Sequence, residues 1–169
     1  MLDTRSVRQP FGEKKIMHHL TEHFTLEELT HSDLAVRQGI ANRPSKEVLA
    51  NLNTLAQKLE QVRAILGQSV LIISSGYRCP ELNAHIGGSR TSAHLRGLAA
   101  DFKCPSFGSP AEICRAIQKH GSLLCFDQLI YEGTWCHIGF VSQDIDARGD
   151  VLTASFSGGR ASYTRGIIG

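Results

Sequence analysis

Two short blocks constrain this chain more than anything else in it. The first is Ser92-Ala93-His94-Leu95-Arg96-Gly97-Leu98-Ala99-Ala100-Asp101, where a histidine and an aspartate stand seven residues apart with a glycine and small residues between. The second, Trp135-Cys136-His137-Ile138-Gly139, carries another histidine in a run that reads as a strand. Residues 98–103 also read as a strand. Alternation turns Ala99, Asp101 and Lys103 to one face and Leu98, Ala100 and Phe102 to the other. By the same rule His137 shares a face with Trp135 and Gly139, while Cys136, Ile138 and Phe140 point away. A lone histidine is more often a surface or core residue than a ligand. Two neutral imidazoles with one carboxylate, however, form a donor set that suits Zn²⁺, and three protein ligands leave a fourth position for water. The rest of the chain is then a scaffold for these three side chains.

The scaffold is legible in order. Thr25-Leu26-Glu27-Glu28 has the form of a capping box, with Phe24 and Leu29 spaced for a hydrophobic staple. Pro44-Ser45 opens the clearest helix: Val48, Leu49, Leu52, Leu55, Ala56, Leu59, Val62 and Leu66 recur at three and four residues, and Gly67 ends it as a left-handed cap. Residues 70–73 are a short β-branched run that reads as a buried strand. A short helix begins at Pro80 and ends at Gly87-Gly88. Ser109-Pro110-Ala111-Glu112 is a second capping box, opening a helix whose apolar face includes Cys114. Residues 126–131 and 135–141 read as strands joined by the turn Glu132-Gly133-Thr134. Residues 151–154 suggest a last edge strand, and Ser155 to Gly169 reads as a mobile tail. This order of elements indicates an α+β fold, a small antiparallel sheet with helices packed on one side. Residues 1–20 are expected to be a disordered leader, 21–155 the folded domain and 156–169 a flexible tail.

With 169 residues the chain fits one domain with a sizeable core. Its net charge of +2 gives no argument for nucleic acid. No apolar run approaches the length of a membrane span, so no membrane insertion is expected. The five cysteines have no paired spacing and no Cys-x-x-Cys, which reads as reduced thiols and a reducing compartment of synthesis. The first twenty residues carry Arg5, Arg8, Lys14 and Lys15 without an apolar core, unlike a secretory signal, and Met17 is a second possible start.

The first block resembles the Ser-x-His-x-x-Gly-x-Ala-x-Asp signature of the zinc D-alanyl-D-alanine carboxypeptidase family (peptidase family M15), and the second resembles its Trp-x-His strand. The likeness extends through Ser75-Gly76-Tyr77-Arg78 and Asn83, and more weakly to Ala35, Asn42 and Pro44. It is greatest to the phage and prophage branch, whose members cut peptidoglycan peptides. The resemblance implies the hedgehog/DD-peptidase type of fold and one zinc ion per chain on His94, Asp101 and His137. It implies a substrate contact for Arg78, whose planar guanidinium can bond both oxygens of a carboxylate, and another for Ser92, which otherwise is a loop serine supporting its own backbone. Trp135 is either a wall of the cleft or core. The partner it implies is a peptidoglycan peptide, met by a monomer after release from the cytoplasm, with a holin-type partner as the means of release.

The general base departs from the family pattern. Many relatives carry an acid three positions before the last histidine ligand, where this chain has Thr134. Glu132, on the same turn, is the nearest carboxylate and the expected base, with Asp127 next. Three functions compete: a zinc peptidase of peptidoglycan, as endopeptidase or D-alanyl carboxypeptidase; a non-catalytic zinc-containing structural or wall-binding module of a phage particle; and a cysteine peptidase using Cys136 or Cys79. Strand alternation, which turns Cys136 away from His137, disfavours the last.

Overall fold

The computed structural model describes residues 17–142 and 145–169. The expected leader thus falls mostly outside the described residues. Its last part does not behave as a leader: Leu26 N–H donates to the His18 carbonyl at 2.8 Å, Leu20 N–H to Phe24 at 2.9 Å, and Leu20 packs against the core.

The described residues form six α-helices, one 3-10 turn and six strands. Helix α1 (Leu26–Thr30) starts on Thr25, whose hydroxyl accepts from Glu28 N–H at 3.2 Å. Phe24 and Leu29 are both buried, as a staple requires. Helix α2 (Asp33–Gln38), not expected from periodicity, is capped by Ser32 and ends on Gly39. Helix α3 (Lys46–Ile65) buries Leu52, Leu55, Ala56, Leu59 and Val62, the stripe read from the sequence. It stops as a Schellman motif: Gly67 has φ +68°, and Gln68 N–H reaches back to the Arg63 carbonyl at 2.8 Å. Helices α4 (Pro80–His85) and α5 (Pro110–Gln118) both begin on proline, and the Ser109/Glu112 box closes in both directions. Helix α6 (Gly121–Leu124) is one turn.

The strands are β1 (Ile72–Ser75), β2 (Ala99–Lys103), β3 (Gln128–Tyr131), β4 (Cys136–Gly139), β5 (Asp150–Ser157) and β6 (Arg160–Arg165), in one sheet of order β1-β2-β4-β3-β5-β6. Every pairing is antiparallel except β3 with β5. The fold is α+β, as the order of elements indicates. Ala100, Phe102, Leu129, Cys136 and Ile138 join α3 and α5 in the core on one face. The opposite face carries a row that crosses the sheet in register: Asp101 beside His137, His137 beside Ile130, Ile130 beside Leu152, Leu152 beside Arg165.

Two expectations are corrected. Residues 70–73 do not form a buried strand. The strand starts two residues later at a sheet edge, with Val70 and Ile72 exposed, because a β-branched run alone cannot tell edge from centre. Residues 156–169 are not a flexible tail. β5 runs to Ser157, Gly158 and Gly159 turn the chain with φ +56° and +75°, and β6 pairs back along β5 from Arg160 to Arg165. The end is docked as well: Thr153 Oγ1 donates to the Gly166 carbonyl at 2.7 Å and accepts from Ile168 N–H at 2.8 Å, and Arg115 bonds the Gly169 carbonyl. β5 is consequently an interior strand and β6 the edge.

Candidate metal centre and its cleft

His94 lies in a single 3-10 turn (Ala93–Arg96) that Gly97 ends at φ +68°. A side chain on Gly97 would meet Val48 and Leu52 at 3.0 Å, so the turn is seated directly on α3. From there His94 reaches the sheet face where Asp101 and His137 are neighbours on β2 and β4. His94 Nε2 lies 3.2 Å from Asp101 Oδ1 and 3.3 Å from His137 Nδ1, and His137 Nδ1 lies 2.8 Å from Asp101 Oδ1. All three side chains are buried.

The proton positions follow from the partners. His94 Nδ1 is 2.5 Å from the Gly76 carbonyl, which can only accept, so Nδ1 carries the hydrogen and Nε2 offers its lone pair to the cluster. Gly76 is held in turn: a side chain there would strike the Leu29 backbone carbonyl at 2.3 Å, and Tyr77 N–H donates to that same oxygen at 2.7 Å. Asn42 ties the following loop, donating to the Thr30 and Tyr77 carbonyls and accepting from Cys79 N–H at 2.7 Å. Asn83 does likewise for the loop before Ser92, donating to the Ser89 carbonyl at 3.0 Å. The Ser-Gly-Tyr-Arg, Asn42 and Asn83 features of the sequence are thus supports of the site.

Burial holds His94 below the ordinary imidazole value, against the pull of Asp101. Burial would raise Asp101, but the charge and hydrogen bonds of the two imidazoles hold its carboxyl well below the usual range. Two imidazole nitrogens and a carboxylate oxygen thus converge within 4.8 Å in a buried space. Such a donor set could hold a cation between its members, and its nitrogen-rich composition fits zinc.

The centre opens into a cleft of about 700 Å³ lined by Arg78, Ser92, Glu132 and Trp135, with Asp127 and Arg148 at another part of the wall. Arg78 is largely buried, 3.9 Å from Asp101 Oδ2, and its Nε has no hydrogen-bond partner among the described residues. The Trp135 indole N–H is likewise buried; it makes no hydrogen bond of good geometry among the described residues, but it faces the Glu132 carboxyl, so Trp135 is a cleft wall whose donor points to that side chain. Ser92 makes no capping bond to its own turn. Glu132 is half-buried on the β3–β4 turn, whose backbone is fixed by Glu132 N–H donating to the Trp135 carbonyl at 3.1 Å. Its carboxyl is raised, first by burial and then by the charge of Asp101, against His137, Arg78 and the Trp135 indole N–H. Thr134 is exposed and does not line the cleft.

Asp127 is otherwise engaged. It accepts from Arg148 Nε at 2.9 Å and Arg148 N–H at 3.1 Å, and these bonds hold it below the usual carboxylate value. Cys136 faces the core, where its sulfur lies 2.8 Å from that of Cys114. That contact and burial hold its thiol far above the ordinary value, which removes it as a nucleophile. Cys79 is buried as the cap of α4. The remaining described histidines (18, 19, 23, 31, 85 and 120) are exposed.

The sequence reading missed Arg148, Leu152, Phe156, Ala161 and Tyr163, all of which line the same cleft. A signal for four of them was present: Gly158-Gly159 stands between two alternating runs, the pattern of a two-residue hairpin. For Arg148, in an irregular loop, there was none.

The sequence model of the family described as Peptidase M15 matches residues 22–140. The chain belongs to that family. Over 72 residues it is 32% identical to a protein named zinc D-Ala-D-Ala carboxypeptidase from Streptomyces albus G; the aligned stretch is 43% of this chain and 28% of that relative. This chain thus spans well under two thirds of the relative's length. No helix among the described residues is long and apolar enough to cross a membrane.

Proposed function

We propose that this chain is a zinc-dependent peptidase of peptidoglycan, with His94, Asp101 and His137 as the zinc ligands, Glu132 as general base, and Arg78 and Ser92 as substrate contacts. The observation that carries the reading is the meeting, in one cleft, of a buried His/Asp/His cluster with a carboxylate of raised pKa and a buried guanidinium with a free donor.

Zinc, when bound, supplies a Lewis acid that polarises the scissile carbonyl and makes water easier to deprotonate near neutral pH. The chain's own groups do the rest. Glu132 takes the proton of the attacking water; burial and the nearby Asp101 charge raise its basicity for that task. The protonated Glu132 can then pass its proton to the leaving amine. Arg78 stays charged despite its burial, and its free N–H suits a carboxylate or the developing oxyanion. The Ser92 hydroxyl offers one more bond along the cleft, and the Trp135 indole N–H orients Glu132. Asp101 does not lose its charge in this scheme. It balances the cation and fixes Arg78.

The test is mass analysis of fragments released from defined peptidoglycan by the zinc-loaded protein, with and without chelator. Release abolished by chelator and restored by zinc supports the peptidase and names the bond, endopeptidic or D-alanyl. Full zinc with no fragment from any wall supports a non-catalytic module instead.

A further inference from the structure

The β5–β6 hairpin lies beyond residue 140, where the family match ends, yet it forms a wall of the catalytic cleft. Strand register puts Leu152, Ala154 and Phe156 of β5, and Tyr163 and Ala161 of β6, on the same face of the sheet as Asp101 and His137. The other face of β6 carries Arg160, Ser162 and Thr164. The cleft face of the hairpin is thus mostly apolar, with Arg165, paired with Leu152, the exception at the end of β6.

Its two aromatics are unusual for such an edge. Phe156 is 60% exposed and Tyr163 is 56% exposed. Each stands across from an alanine, Phe156 from Ala161 and Tyr163 from Ala154, so small neighbours leave the rings uncovered. Tyr163 lines the same cleft as Glu132, and burial first and then the charge of Glu132 raise its phenol. Exposed aromatics continuous with a polar catalytic cleft mark a binding surface.

We infer that Phe156 and Tyr163 form a subsite for a sugar ring of the glycan strand, next to the peptide being cut. This rests on the peptidoglycan reading of the cleft. A pyranose has one face of C–H bonds, which suits the electron-rich face of an aromatic ring, and a rim of hydroxyls, which suits the hairpin's polar neighbours. The hairpin would thus select substrate still attached to glycan.

The experiment titrates the full chain with a peptide-free tetrasaccharide of alternating N-acetylglucosamine and N-acetylmuramic acid. The readout is fluorescence of Trp135, the chain's single tryptophan and a lining residue of the same cleft. Saturable binding is expected, with Kd raised at least tenfold in the Phe156→Ala/Tyr163→Ala double variant and restored to within about threefold by Phe156→Tyr/Tyr163→Phe, because stacking needs the rings and not the hydroxyl. Zinc content and melting temperature, measured in parallel, identify a variant that has failed to fold. No binding by the unsubstituted chain, equal binding by the folded double-alanine variant, or no recovery in the aromatic variant would each overturn the subsite. Because the probe contains no peptide bond to cut, sugar binding without peptidase activity counts only against the peptidase reading. Peptidase activity without sugar binding counts only against the subsite.

Discussion

Two hairpins bound the cleft, and they are built on opposite terms. In β3–β4 every residue of β4 is buried, neighbours pair on both sides, and the turn carries Glu132. In β5–β6 every residue of β6 is exposed and one edge is unpaired. The first can hold reacting groups to a fraction of an ångström, because any displacement of His137 would disturb packing on both faces of the sheet. The second has few buried contacts to resist movement and can adapt to what it touches. On the proposed reading, chemistry belongs to the rigid hairpin and recognition to the exposed one.

The hardest test of that division is His137→Ala. It should abolish peptidase activity and reduce zinc retention by orders of magnitude, as should His94→Ala and Asp101→Ala; elemental analysis and turnover measure both. Full zinc retained in all three variants would end the assignment of the centre. Glu132→Gln, on the same hairpin, should keep zinc and fold but lower turnover by about 10²- to 10⁴-fold. Near-complete activity in Glu132→Gln would move the base elsewhere and leave the rigid hairpin with ligands only.

How much of this was readable in the sequence follows the same division. The rigid part was legible because its signals are local and redundant. The α3 stripe, the Ser109/Glu112 box and the strand alternation around Asp101 and His137 each specify geometry within a few residues. The three proposed ligand positions came mainly from the two motif blocks, since residue type alone leaves a histidine ambiguous. The exposed hairpin was misread as a tail because Gly, Ser and Arg suggest mobility by composition, and the alternation beneath them was not weighed. The docking of Gly166 and Ile168 on Thr153 could not have been read, since it depends on the parallel pairing of β3 with β5, a contact without local sequence signal.

Arg78 extends the comparison to the cleft's other lip. Arg78→Lys keeps a charge near Asp101 but loses the planar fork. A roughly tenfold to hundredfold fall in kcat/KM is expected, the size of one or two charge-assisted hydrogen bonds. Zinc content should not change. Unaltered kinetics in Arg78→Lys would mean that a point charge suffices there.

Asp127 ties the start of β3 to the loop before β5, so it links the two hairpins. Its carboxyl is held below the ordinary value by Arg148, so the folded state gains from the ionised form. That gain is fully present above the ordinary carboxylate pKa of about 4 and is lost as pH falls through the lower folded value. Arg148 is half exposed, which discounts the pair to about 1 kcal/mol. Asp127→Asn should therefore melt lower at neutral pH, and the difference from the unsubstituted protein should shrink below about pH 4. A difference that persists unchanged in acid would trace the loss to packing. Activity should fall far less than in Glu132→Gln.

The smallest effect is expected at the tip of the exposed hairpin, where it isolates the comparison best. Gly159 has φ +75°, and a methyl group built there meets nothing within 4 Å. Gly159→Ala therefore adds no clash, and its cost is the left-handed conformation alone, about 1–2 kcal/mol. If the hairpin opens independently, that cost appears as easier proteolysis between Ser157 and Arg160, with little change in global melting. Zinc affinity should stay the same, because β5 keeps its pairing with β3 through Thr153 without help from the turn. A fall of several degrees in the global Tm, together with weaker zinc retention, would show the two hairpins to be one cooperative unit. The separation of chemistry from recognition would then have to be given up.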